Sequence, residues 1–186
     1  MARKDRTLLQ DLDAHPTQVL LTNRLQVADI LEHILGWLGP SDLFQTTFSV
    51  SEEFLRRMYH IRQKGNIVSA QVVLDYKGTQ KTVKLWNFIE QVFDRSFLAD
   101  NHSKILLARQ AKATGITKKV AVITSQNLTR GNRYESTIIT TDPEVFDSLL
   151  QDFTQLSNRK SIPLDELLGR TTQTDTGVWI DIPQDI

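Results

Sequence analysis

Asp42-Leu-Phe-Gln-Thr-Thr-Phe-Ser-Val50, then Ser51-Glu-Glu-Phe54 onward to Lys64-Gly65, then Ile67-Val-Ser-Ala-Gln-Val-Val-Leu74 is the stretch that decides the fold. In its first part Phe44, Thr46 and Phe48 alternate to one side, the period-2 pattern of a strand. Ser51 suits a helix N-cap, and Phe54, Met58 and Ile61 recur at helical spacing until Lys64-Gly65 ends the run. Residues 67–74 are apolar and β-branched, as a buried strand is. Strand, helix and strand in succession predict a right-handed crossover between parallel neighbours.

Toward the amino end, Gln18-Val-Leu-Leu-Thr22 reads as a short buried strand. Ala28, Leu31, Leu35 and Leu38 then form one helical face, stopped by Gly39-Pro40. Toward the carboxyl end, Tyr76-Lys-Gly-Thr79 reads as a turn leading to a helix with Leu85, Phe88, Ile89 and Val92 inward. Beyond residue 97 the rhythm changes. Phe97-Leu-Ala, Lys104-Ile-Leu-Leu-Ala and Lys119-Val-Ala-Val-Ile-Thr are strands without a helix-length segment between them, which predicts a hairpin or meander. Ser136–Thr140 is a further strand, and Asp142-Pro143 starts a helix carrying Phe146, Leu149, Leu150 and Phe153. The expectation is an α/β domain over 17–155, its sheet mixed but mainly parallel and flanked by helices. Residues 1–16 are a lead-in, and 156–186 a polar extension with a strand-like Val178-Trp-Ile-Asp-Ile.

With 186 residues, 40% of them hydrophobic, the chain can bury one core. No apolar run approaches the roughly 20 residues that cross a bilayer, and no secretory apolar core follows Met1, so a soluble cytoplasmic protein is expected. The absence of cysteine excludes disulfides and thiolate chemistry. The formal net charge is zero, yet Asn101–Tyr134 holds seven basic residues and no acid: Lys104, Arg109, Lys112, Lys118, Lys119, Arg130 and Arg133. A solvated face is the ordinary reading of such a run, and a local anion site the sharper one.

That window also holds the residues best suited to chemistry. His102 and Lys104, two apart at a strand start, project from one face and can address one phosphate. Ser125 and Asn127 follow the strand 119–124, at the end where open α/β sheets place ligands, and offer neutral hydrogen-bond donors. Asn132 and Glu135 continue the series, Glu135 being the first acid after the basic window. His15, His33 and His60 have no partners at ligand spacing, and Asp75 and Asp94 read as ordinary turn or surface acids. No metal constellation, Gly-rich phosphate loop or Ser-His-Asp signature is present.

Taken together, His102-Ser-Lys104, an apolar strand, a basic loop, a second apolar strand, Ser125-Gln-Asn127 and Asn132-Arg-Tyr-Glu135 resemble the motif of the phospholipase D superfamily, and over residues 17–155 the element order is similar to its single-motif nucleases. The resemblance implies a metal-independent phosphodiesterase that needs no cofactor, most readily a nuclease. It makes His102 nucleophile or general acid, gives Lys104 and Asn127 the nonbridging oxygens, adds a Ser125 hydrogen bond and lets Glu135 orient an imidazole. Arg109, Lys118, Lys119, Arg130, Asn132 and Arg133 would hold substrate phosphates, with Tyr134 available for stacking. One motif per chain implies a homodimer in which two histidines meet. Two positions depart from the pattern: Arg109 stands where the motif has an acid, and Thr124 where it has Gly. The alternative expectation is therefore a catalytically degenerate module that binds nucleic acid or phosphate, such as a subunit of a restriction or repair system.

Overall fold

The computed structural model describes residues 5–79, 84–168, 172–174 and 177–179. Its elements are β1 (Thr17–Thr22), α1 (Val27–Leu38), β2 (Ser41–Thr47), α2 (Glu52–Gln63), β3 (Ile67–Asp75), α3 (Tyr76–Thr79), α4 (Trp86–Val92), β4 (Arg95–Ala99), β5 (Ile105–Gln110), β6 (Lys119–Thr124), β7 (Glu135–Thr140), α5 (Pro143–Arg159), β8 (Ile162–Pro163) and α6 (Leu164–Leu168). A separate hairpin, β9 (Thr172–Thr174) and β10 (Gly177–Trp179), follows. Local signals set the boundaries. Ser51 caps α2 by accepting from the Phe54 N–H, Asp142 caps α5 by accepting from the Glu144 N–H, and Gly39 and Gly65 end their helices at φ 75° and 77°.

Eight strands form one open sheet in the order β1-β7-β6-β5-β2-β3-β4-β8. The mixed α/β sheet flanked by helices is as expected, but its parallel part is smaller. Only β2–β3 and β3–β4 are parallel, while β5 enters antiparallel beside β2 and is followed by β6, β7 and β1 in an antiparallel meander. Without a helix between strands the chain must reverse direction each time, so the meander forces this polarity.

The two faces differ. Helices α1, α2 and α4 cover one with Ile30, Leu31, Ile34, Leu55, Met58 and Trp86. Alone on the other, α5 lays Phe146 and Phe153 against Phe44, Val73, Leu107 and Ala121, with Phe44 and Phe153 edge to face at 5.6 Å. Each such buried side chain contributes about 1.5–3 kcal/mol. Leu9 and Leu12 of the lead-in are buried in the first core, and β8 adds to β4, so described residues on each side of 17–155 pack onto the domain.

The expectation of a buried first strand is corrected. β1 is an edge strand, and because α5 does not reach it, Val19 and Leu21 are 74% and 73% exposed. In register, Val19, Ile138, Ile123 and Ile105 form one row across β1, β7, β6 and β5, exposed at the first three and covered at Ile105, which packs against the α5 core. Asp94, read as an ordinary turn or surface acid, is exposed and in addition ties α2 to the sheet: Arg62 bonds both its oxygens, and it accepts from the Ala70 N–H at 2.8 Å. Burial alone would raise the Asp94 carboxyl, but the Arg62 and Ala70 bonds outweigh it and hold it below its ordinary value. A carboxylate lowered in this way stabilises the fold above its unfolded-state pKa, and that stability is lost as pH falls through the lower folded value. In urea titrations, Asp94→Asn should therefore reduce stability at pH 7 and narrow its difference from the unsubstituted protein as pH falls below the usual carboxylate range.

Candidate phosphate site

The polarity of the sheet brings the carboxyl ends of β2, β3, β4 and β6 to the same edge as the amino ends of β5 and β7. There the segment 100–104 bridges from β4 to β5 and passes the loop 125–134 between β6 and β7. His102 is exposed and its ring meets Phe48 edge-on at 5.2 Å. Lys104 is half-buried; its Nζ donates to the His102 carbonyl at 2.6 Å, lies 3.3 Å from His102 Nδ1, and sits 6.0 Å from the Phe48 ring centre. Burial lowers the Lys104 ammonium, an effect that the negative charges of Glu135 and Asp75 oppose.

Across the edge, the Ser125 hydroxyl donates to Glu135 and accepts from the Ser136 N–H at 3.1 Å. The Thr124 N–H donates to the Lys104 carbonyl at 3.1 Å, so β6 carries Ser125 and Asn127 past Lys104. Thus His102, Lys104, Ser125, Asn127 and Glu135 gather at one edge of the sheet.

A buried polar shelf holds them. Asp75, expected to be an ordinary turn or surface acid, is instead 2% exposed and accepts from the Gly78 and Asn101 N–H groups at 2.8 and 3.1 Å. The Asn101 carbonyl oxygen Oδ1 accepts from the Ser103 N–H at 3.0 Å, and its amide donates to the Thr47 carbonyl at 3.4 Å. Thr46 Oγ1 and Ser103 Oγ are 2.7 Å apart. Thr47 Oγ1 accepts from the Leu128 N–H at 3.1 Å and lies 3.4 Å from Asn127 Oδ1. Both turns that present site residues are therefore bonded to the end of β2. Sequence reasoning missed Asp75, Asn101, Thr46, Thr47 and Phe48; the available signal was their position at strand ends facing the site.

The basic window divides. Arg130, Asn132, Arg133 and the 70% exposed Tyr134 lie in the loop beside the site. Arg109, Lys118 and Lys119 are not brought to it. Arg109 is five residues beyond Lys104 along β5, about 16 Å away, and registers with Lys119 on β6. There Arg109 pairs with Asp42 at 3.3 Å, Lys118 with Asp13 at 3.9 Å and Lys119 with Asp147 at 2.7 Å. Among the described residues, no group of three or more His, Asp or Glu could hold a metal ion, and no helix is long and apolar enough to cross a membrane.

No protein-family model and no curated protein sequence matches this chain. Solved structures do. Nuc, a phospholipase D family member from Salmonella typhimurium, is 14% identical with a TM-score of 0.55, over 79% of this chain and 97% of that one. The fold is phospholipase D-like. Phosphatidylserine synthase from Haemophilus influenzae shares it at 10% identity and a TM-score of 0.53, over 81% of this chain and 41% of the synthase. So does TrmBL2, an archaeal chromatin protein described as having a novel mode of DNA binding, at 10% identity and 0.52, over 83% of this chain and 56% of TrmBL2. On this phospholipase D-like frame the candidate site lies where the two turns meet.

Space at that junction is limited. A Cβ on Gly78 would fall 1.9 Å from the Phe48 carbonyl oxygen, so the α3 turn has no room for a side chain. Gly78→Ala should destabilise the protein by about 1–3 kcal/mol in urea unfolding, through overpacking against Phe48.

Proposed function

We propose that this protein is a metal-independent phosphodiesterase of the phospholipase D type, acting on nucleic acid. The observation that carries this reading is the gathering of His102, Lys104, Ser125, Asn127 and Glu135 on one rigid shelf. Phosphoryl transfer mainly requires positioning and charge neutralisation, and this set offers a nucleophile, a cation and neutral donors. His102 Nε2, the ring nitrogen not engaged by Lys104, attacks phosphorus as the P–O bond to the leaving group breaks. A protonated imidazole gives its proton to the leaving oxygen, then takes one from the water that hydrolyses the P–N bond. Lys104 and Asn127 hold the nonbridging oxygens, while Ser125 and Glu135 fix the far rim. Arg130 and Arg133, with Asn132 between them, favour a polyanion over a lone headgroup. The Arg109 departure does not argue against turnover, because its ion pair with Asp42 lies at the opposite end of β5.

The test is cleavage of single- and double-stranded DNA and RNA in excess EDTA. Cleavage should persist in chelator, and His102→Ala should lower it at least about a thousandfold, as loss of a nucleophile does. Loss of all cleavage in chelator sinks the mechanism. Salt-dependent binding without cleavage by either protein would instead support a binding module, the reading closest to the DNA-binding TrmBL2.

Each chain brings one histidine to the site, and the two-step reaction uses two, so the active form is a homodimer. The exposed residues Val19, Ile138 and Ile123 supply an apolar face bordering the strand ends that carry Ser125 and Glu135. Sedimentation should show a dimer that Val19→Lys combined with Ile138→Lys converts to monomer, with activity falling in parallel. An active monomer would exclude this arrangement.

A further inference from the structure

Next to the gathered side chains lies a second cleft that the reaction above does not use. It is lined by Gln26, Gln126, Arg130 and Arg133, together with Asn127 and Glu135, which the candidate site shares. The walls are held in place. Gln26, at the start of α1, donates its side-chain amide to the Gly131 carbonyl at 2.9 Å and accepts from the Gly131 N–H at 3.2 Å, clasping the loop from both sides. The Leu128 N–H bond to Thr47 and the Ser51 N–H bond to the Leu128 carbonyl anchor the same loop three residues earlier. A ten-residue connection between antiparallel strands is thus pinned in its middle.

The groups left over are donors. Gln126 is 6% exposed, and its amide Nε2 is buried with no hydrogen-bond partner. A buried amide donor without a partner is disfavoured, and on a residue that lines a cleft it can be satisfied by an oxygen atom entering that cleft. Arg133 makes no ion pair or hydrogen bond among the described residues. Arg130 meets only the half-exposed Glu53, at 3.3 Å, an arrangement that binds weakly in water. The only acid on the rim, Glu135, is taken up by Ser125 and faces Lys104. Two guanidinium groups and an unpaired amide around one cleft suit an anion with several acceptor oxygens, and phosphate fits that description.

We infer that this cleft is a second phosphate subsite, in which Gln126, Arg130 and Arg133 hold a phosphate of the same substrate next to the one bonded at His102 and Lys104. This inference rests on the reading of the first site as a phosphodiester site. The occupant is either the neighbouring phosphodiester of a chain or a terminal phosphomonoester. Gln126 is the specificity-determining residue, because a neutral amide selects by geometry, whereas the arginines add attraction.

Binding is measured with full-length His102→Ala protein, which separates recognition from turnover. The probes are three fluorescent ligands: a dinucleoside monophosphate with one phosphate, a 5′-phosphorylated dinucleotide with a terminal second phosphate, and a trinucleotide with an internal second phosphate. The two-phosphate ligands should bind at least tenfold tighter than the one-phosphate ligand. Adding Gln126→Leu, close in size, or the exposed Arg133→Ala should each reduce that ratio toward one. Preference for the phosphorylated dinucleotide identifies a terminal monoester subsite, and preference for the trinucleotide an internal one. Equal binding of all three ligands, or a ratio unchanged by both substitutions, overturns the subsite. Failure of every ligand to bind at low salt overturns the phosphodiester reading itself, so the two failures are distinct.

Discussion

The antiparallel insertion of β5 between β2 and β6 is the constraint on which the rest of the structure depends. The pairing Ser41↔Gln110 through Thr46↔Ile105 runs β5 back along the central strand, so the residues just before β5 arrive at the carboxyl ends of β2 and β3. Had β5 run parallel there, His102 and Lys104 would lie at the opposite edge, beside the amino end of β2. Because β6 and β7 then alternate, Ser125 and Glu135 return to the edge that β5 has chosen. One register therefore fixes the meeting of segments more than twenty residues apart in the chain.

The register is itself held by polar bonds at its end. Thr46 accepts the first N–H of β5, from Ile105, at 3.2 Å, and Asn101 folds the preceding turn around Ser103. Asp75 closes the arrangement from the next strand. Buried polar groups of this kind specify one arrangement more strongly than apolar contacts do, because slipping by a residue would leave several of them unpaired. The apolar layers on the two faces supply stability, and the shelf supplies precision.

Much of this was legible in the sequence. The helix–strand alternation from 42 to 92 and the Asp142-Pro143 helix start follow from period and local chemistry, which act over a few residues, whereas the grouping of His102, Lys104, Ser125 and Asn127 was legible only through the resemblance of their order and spacing to a family motif. What was not legible depends on distance across the sheet. Gln18–Thr22 has the composition of a buried strand, and only the limited reach of α5 leaves Val19 exposed. Asp75 looks like any acid before a turn, and its burial follows from Asn101, 26 residues on. Arg109, Lys118 and Lys119 share a basic window with Lys104, yet a strand carries them about 16 Å from it. Gln26 and Gly131, 105 residues apart, share no local pattern at all.

The division of the basic window also sets how the molecule meets ions in solution. Arg109, Lys118 and Lys119 already have acidic neighbours, so an approaching polyanion displaces few small ions from them. Among the described residues Lys112 and Arg133 have no ion pair, and Arg130 meets the exposed Glu53, while Lys104, Arg130 and Arg133 share the edge of the candidate site. A chain with a formal net charge of zero thus presents a short cationic track at one sheet edge. A polyanion held at this edge would release counterions from about three contacts, far fewer than a count of basic residues suggests. Attraction of that size would leave most of the selectivity to shape and to neutral donors such as Asn127.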